Sequence, residues 1–349
     1  MTFAAATSAL LSGPASELRR DVSTAPVHAH SAHVVEHLQQ QVALGAPNFN
    51  ALQYGLPVYD VQADVPAVDV QWRGHTGWGD ALYAGLLGLD PKAKGYPWPI
   101  PDLSVLPASV GPFRGVPIPD GARPAVGTDG ALAVRRGREL WELWQARQDP
   151  VTRQWSASWG GYVPDLERSD GRYPGTLGLS ASGLVTASSI VRIAEARAGV
   201  IEHAIGLGLP HVIGARWSYP ASRCDRIGST STAPFAIFEG QRFRLRASVN
   251  VDALTKPPDW RGRRAAVHPL CRAIARGAQR SGFVVVDQTG SVVVVGAEEG
   301  TAAVHAQQVA GQPGLNPWPA ILAGSATWQV LEGFPWGELE ALPHDWGRP

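Results

Sequence analysis

Two short segments carry most of the chemistry this chain offers: Glu139-Leu140-Trp141-Glu142-Leu143-Trp144-Gln145-Ala146 and Trp155-Ser156-Ala157-Ser158-Trp159-Gly160-Gly161-Tyr162. Aromatic rings beside carboxylates suit sugar recognition, because rings cover the apolar faces of a sugar while carboxylates accept from its hydroxyls. The same residues suit glycoside hydrolysis if two carboxyl groups face each other across the scissile bond. Glu142 shares a predicted strand face with Trp144, which makes it the leading carboxylate. Asp165 and Asp225 are its candidate partners, ahead of Glu167, Asp170 and Glu202. Trp141, Trp144, Trp155 and Trp159 are the candidate sugar contacts. The competing reading is structural: β proteins also use Trp to fill a core, and alternation alone does not show that any two side chains converge.

Other motifs are weaker. His33 and His37 stand at helical i,i+4 spacing, but Glu36 falls one position before the second His, so the HExxH pattern fails and no metal is expected. His203, between Glu202 and Ala204, reads as a hydrogen-bonded core histidine before it reads as a general base. Gly178-Leu179-Ser180-Ala181-Ser182-Gly183 only approximates a nucleophile elbow, since its glycines are too far apart. Phosphate-binding loops and cofactor fingerprints are missing, and no cofactor is expected. Cys224 and Cys271 are the only cysteines. They are too few for a thiolate metal site, and their spacing leaves open whether they pair.

These side chains need a scaffold, and composition narrows it. The chain has 349 residues with 39 Gly and 29 Pro, which favours many short strands and turns over long helices. Formal net charge is zero, and no Lys/Arg block stands out, which argues against nucleic-acid binding through a basic surface. No stretch approaches the ~20 apolar residues of a membrane span. Met1 to Ser31 lacks the basic start and long apolar run of a secretory signal.

Residues 1–50 read as an N-terminal arm or tether, with a helix from about Ala32 to Leu44 whose stripe is Val34, Val35, Leu38 and Val42. Residues 51–349 read as one β-rich domain. Leu56–Val61 and Ala67–Trp72 alternate as strands, and residues 73–130 form a long Gly/Pro connection. Arg138–Ala146 puts Leu140, Glu142, Trp144 and Ala146 on one face, with Glu139, Trp141, Leu143 and Gln145 on the other. Trp155, Ala157 and Trp159 share a face of the next strand. Thr186–Leu207 looks helical despite Gly199, and His268–Ser281 is a better helix with Pro269 in its first turn and Gly282 as its stop. Phe283–Asp287 and Ser291–Val295 read as a hairpin. The expected fold is mainly β: a jelly-roll-like β-sandwich with long Pro/Gly-rich loops, a few short helices and the helical arm.

Several segments together carry a family resemblance. They are Glu142–Ala146 with Trp155–Gly160; Ala181–Leu184 with Gly199–Ala204; Tyr219-Pro220-Ala221-Ser222 with Asp225; Gln241–Leu245 ahead of Val251–Leu254; and Arg272–Ala275 with Gly282–Asp287. This order, over about residues 125–300, resembles a β-sandwich family of largely uncharacterised actinobacterial proteins, often secreted and sometimes attached to carbohydrate-binding modules. It also resembles minor tail proteins of actinobacterial phages. The resemblance implies a structural and host-recognition component of a phage tail tip. Such a component would be oligomeric within the virion, joined to other tail proteins through the arm and in contact with cell-envelope glycan. It carries no assigned chemistry. The alternative is an extracellular glycoside hydrolase on the same scaffold, acting on actinobacterial cell-wall or plant polysaccharide through Glu142 with Asp165 or Asp225.

Overall fold

The computed structural model describes residues 11–72, 113–173, 177–214, 216–224 and 235–349. Mixed and antiparallel sheets with few helices make this a mainly β protein.

The central element is Ile205-Gly206-Leu207-Gly208-Leu209. Its apolar odd positions and glycine even positions have period two, so it forms a strand, β9 (Ile205–Leu209), with two unlike faces. It lies inside a six-stranded sheet with β1 (Asn48–Phe49), β10 (Arg242–Leu245), β11 (Phe283–Gln288), β12 (Val294–Val295) and β13 (Leu339–Ala341), ordered β1-β12-β9-β11-β10-β13. The pairs β1–β12 and β9–β11 are parallel, so the sheet is not the all-antiparallel array of a simple jelly roll. Ile205, Leu207 and Leu209 pack into one core with Phe283, Val285 and Val295.

Helices cover that apolar face. Helix α1 (Ser31–Val42) buries Val34, Val35 and Leu38 in the same core, and the Ser31 hydroxyl accepts from the Ala341 N–H of β13 at 2.8 Å. The apolar stripe of the N-terminal segment is therefore occupied by the body of the same chain. A six-residue helix, α2 (Ile193–Ala198), ends at Gly199, whose φ of 70° suits glycine. Helix α3 (Pro269–Arg280) begins where the His268 ring accepts from the Leu270 N–H, and it buries Leu270, Cys271 and Ile274. Gly282 follows with φ 75°, at a point where a Cβ would sit 2.3 Å from the Phe243 carbonyl. Helices α4 (Thr301–Val309) and α5 (Trp318–Leu322) complete the set, and Trp318 donates its indole N–H to the Glu298 carbonyl at 2.8 Å.

A four-stranded sheet, in the order β2 (Val58–Val61), β4 (Leu132–Arg136), β5 (Glu139–Trp144) and β8 (Trp159–Val163), is buried on both faces. Leu140, Ala133 and Val163 pack with Tyr173, Val185 and Ile190 on one side. Trp141, Leu143 and Val134 pack on the other with Trp155, Ala157 and Val116. A three-stranded sheet in the order β3 (Gln71–Trp72), β7 (Trp155–Ala157), β6 (Arg147–Gln148) closes that second side.

Three sequence expectations change. Thr186–Leu207 is not one helix: it is a 3-10 turn at Thr186–Ser188, the short α2, and the start of β9. Gly199 stops the helical part, and the Gly/Leu alternation extends the rest. The expected hairpin of β11 with β12 is replaced by a crossover. The Thr289 N–H donates to the Leu209 carbonyl, which carries the chain over the end of β9, so β12 pairs antiparallel with β9 on its far edge. Ala146 joins Trp141 and not Leu140, because Gln145 takes φ 52° and ends the alternation. Most of the long Gly/Pro connection, residues 73–112, lies outside the described residues. Cys224 and Cys271 are both buried, and no disulfide joins them.

Candidate functional site

The glycine face of β9 contributes no side chains of its own, so Ser189 and Thr289 approach its backbone closely. Gly206, Gly208 and Gly296 floor a cavity of about 810 Å³. That is room for a small-molecule ligand, within the ~300–1,000 Å³ of such sites. A Cβ on Gly206 would lie 3.0 Å from the Ser189 hydroxyl, and one on Gly208 would lie 2.6 Å from the Thr289 methyl, both on cavity-lining residues.

Trp144 and Trp159 form one wall. They are in-register partners at the last pair of β5 and β8. The Ser158 N–H donates to the Trp144 carbonyl at 3.0 Å and its hydroxyl donates to Gln145 Oε1 at 2.8 Å. This break between β7 and β8 takes Trp159 away from the face of Trp155 and Ala157 and sets it beside Trp144. The Trp144 indole N–H lies near the Asp129 carboxyl, without an aligned hydrogen bond. The Asp129 segment runs alongside, its carbonyl accepting from the Gln145 N–H at 2.7 Å. Asp129 keeps solvent exposure on one side, yet desolvation on the other raises its carboxyl pKa against the opposing pull of the nearby indole N–H.

Tyr54, 45% exposed, stands among the lining residues with φ 59°. Its N–H donates to the Val126 carbonyl, and Gly127 lies so close beneath its ring that a Cβ would sit 2.7 Å from it. Non-glycine residues at positive φ are costly, which marks this as a position held by its surroundings. Asp287 adds a second carboxylate from β11, where the register with β9 shifts after Val285. Asn48, Asn50, Gln53 and Arg223 supply further polar groups.

Glu142 is placed differently from its sequence expectation. It is 0% exposed and does not line the cavity. Its Oε1 accepts from the Ala187 N–H at 2.6 Å and Oε2 from the Thr186 N–H at 3.2 Å. Burial pushes its pKa up to about 7, against the opposing pull of those two N–H groups. Its cross-strand partner is Gly161, and the Tyr173 ring occupies the space a Cβ there would fill, within 2.4 Å. The Tyr173 hydroxyl influences Glu142 without an aligned hydrogen bond. Glu142 therefore braces the Thr186 turn, which lines the cavity from behind.

The remaining expected site residues separate. Trp141 and Trp155, 3% and 5% exposed, are core residues and leave no ring face for a sugar. Trp141 instead packs on Tyr162 at 4.9 Å between centroids, because its strand face meets the three-stranded sheet. Asp165 lies in a surface turn, 3.7 Å from both Arg138 and Arg168. It is four residues past the cross-strand partner of Glu142, roughly 13 Å along an extended chain, so the two carboxyls do not face each other. Asp225 lies outside the described residues. His203 is fully buried, its Nε2 3.1 Å from Glu195 and its Nδ1 2.9 Å from the Ala204 carbonyl. Burial lowers its pKa, but the Glu195 carboxylate outweighs that and the net shift is upward. His30 and His33 pack against Phe235 at 5.1 and 4.5 Å, and no His/Cys/Asp/Glu group among the described residues is arranged to hold a metal.

Asp129, Asp287 and Tyr54 were not among the sequence candidates. Asp129-Gly130 reads as a turn, and Asp287 reads as the end of a buried strand. The signal for the cavity was the glycine alternation of β9, masked by the helical appearance of the residues before it. No family model, no curated protein and no solved structure matches this chain. No described helix is long and apolar enough to cross a membrane.

Proposed function

We propose that this protein is a glycan-binding component of a phage tail tip, which recognises the host cell envelope by seating a sugar unit in the cavity over β9. The observation that carries the binding reading is the Trp144–Trp159 pair beside Asp129 above a floor of glycines. Two adjacent indoles offer apolar area, the carboxylates and amides offer hydroxyl partners, and the glycine floor offers depth. The tail-tip role is supported by the segment order over about residues 125–300. In that role the jelly-roll-like sandwich is the platform, and neighbouring subunits of the tail hold it in place.

The placement of Glu142 speaks against turnover through that residue. Its oxygens are committed to two backbone N–H groups in the core, and no substrate reaches them. The test is retention of purified protein on actinobacterial cell-wall polysaccharide, with reducing-end release measured alongside. Retention weakened by Trp144→Ala, with no release, supports the proposal. Release that Asp129→Asn abolishes would replace it with a hydrolase acting through the cavity carboxylates.

A further inference from the structure

A second surface on this protein has the chemistry of a ligand site. Residues 255–266 form a tight hairpin, closed by the bridge of Thr255 with Ala266 and by the Lys256 N–H donating to the Ala265 carbonyl at 2.8 Å. Asp259 braces its tip: Oδ1 accepts from the N–H groups of Arg261 and Arg263, each at 2.9 Å, and Oδ2 accepts from the Arg263 side chain at 2.9 Å. Gly262, at φ 76°, makes the turn. The rigid tip holds out Trp260, which is 83% exposed, with the Arg261 guanidinium 4.2 Å from its ring centroid.

Leaving a Trp this exposed costs the burial it would gain elsewhere, and nothing in the fold of the described residues covers it. The charges beside it are unbalanced. Lys256 pairs with Glu332 and Arg263 pairs with Asp259, but Arg261 and Arg264 have no ion-pair partner among the described residues. We infer that this hairpin is a docking site for an anionic polysaccharide, a sugar polymer bearing carboxylate or phosphate groups. One sugar lies on the free face of Trp260, and the guanidinium groups of Arg261 and Arg264 take the anionic groups flanking it.

Charge placement favours a polymer over a membrane. Arg261 rests against the ring and Asp259 sits next to it in the chain, so driving Trp260 into an acyl layer would drag both charges with it. The hairpin is separate from the cavity. Leu254 and Val267 at its base pack into the core on the helix-covered side of the six-stranded sheet, whereas the cavity lies over the glycine side. The two sites therefore stand or fall independently.

The test uses the full chain on immobilised polygalacturonate, neutral dextran, poly-L-glutamate and vesicles containing anionic lipid. The expected result is capture by polygalacturonate over dextran. Trp260→Ala should weaken it about tenfold, and the double variant Arg261→Gln/Arg264→Gln should remove most of its salt dependence. Asp165→Asn, a surface exchange outside both sites, should leave it unchanged. Trp260 and the two arginines are surface groups, and an unchanged melting curve confirms that each variant folds. Equal capture by dextran, tighter capture by polyglutamate or by vesicles, or indifference to Trp260→Ala would each overturn the inference.

Discussion

Trp144 and Trp159 are cross-strand partners at the last register position of β5 and β8, and both turn toward the cavity floored by Gly206 and Gly208. Trp141, three residues before Trp144, turns into the core. One short strand thus supplies a cavity wall and a packing residue, and the two positions should respond differently to mutation.

Trp144→Ala and Trp159→Ala should weaken glycan retention about tenfold each, from the loss of stacking area, while stability falls by about 1 kcal/mol. Trp141→Ala and Trp155→Ala should instead cost about 3–5 kcal/mol by opening a core cavity. Paired chemical denaturation and binding curves separate the two classes. Similar stability losses for all four would contradict the division.

Glu142 ties folding to pH. Its folded pKa of about 7 lies above the ordinary 4.5, so between those values the folded protein holds a proton that the unfolded chain has released. The folded state binds more protons there, and stability falls as pH rises through that window, by about 3 kcal/mol in total. His203, also raised, acts in the same direction: its contribution is full below its ordinary value and is lost as pH climbs through the folded one. Glu142→Gln should be less stable than the parent at pH 5, and the gap should narrow toward pH 8. Denaturant midpoints across that range measure it, and a gap that widens with pH would be the wrong sign.

Filling the floor should block the site from below. A side chain at Gly208 meets Thr289 and Val294, both cavity-lining and neither a backbone atom. Gly208→Val should therefore cost about 1–3 kcal/mol in stability but more than tenfold in glycan retention. Retention equal to that of the parent would place the ligand elsewhere.

Asp165→Asn should leave both stability and retention unchanged, within about 0.5 kcal/mol for stability. Its neighbours Arg138 and Arg168 are largely exposed, and its pairing with them is worth little. A loss of activity in this variant would restore the carboxylate pair that the geometry separates.

Local patterns in the sequence reached the elements with a single period. The α3 helix is legible because His268, Pro269 and Gly282 mark its ends and Leu270 and Ile274 its stripe. The β6–β7 turn is legible through Asp149, which accepts from the N–H groups of Val151 and Thr152. The site was legible only by halves. Alternation along β5 separates Trp144 from Trp141, but the separation of Trp159 from Trp155 depends on the strand break at Ser158, which no alternation rule contains. Glu142 looked like a catalyst because a carboxylate among tryptophans resembles a sugar site. What decides its role is Thr186 and Ala187, more than forty positions away in the chain, whose N–H groups consume its oxygens. The crossover that puts β9 between β11 and β12 is long-range in the same sense.

The most direct measurement is a crystal structure of the protein soaked with oligosaccharides released from actinobacterial cell-wall polysaccharide. The account predicts an intact sugar ring against Trp144 or Trp159, with carbon contacts of about 4 Å and hydroxyls on Asp129 or Asp287. A sugar bound only elsewhere, an empty cavity at saturating ligand, or a cleaved product in the cavity would contradict it.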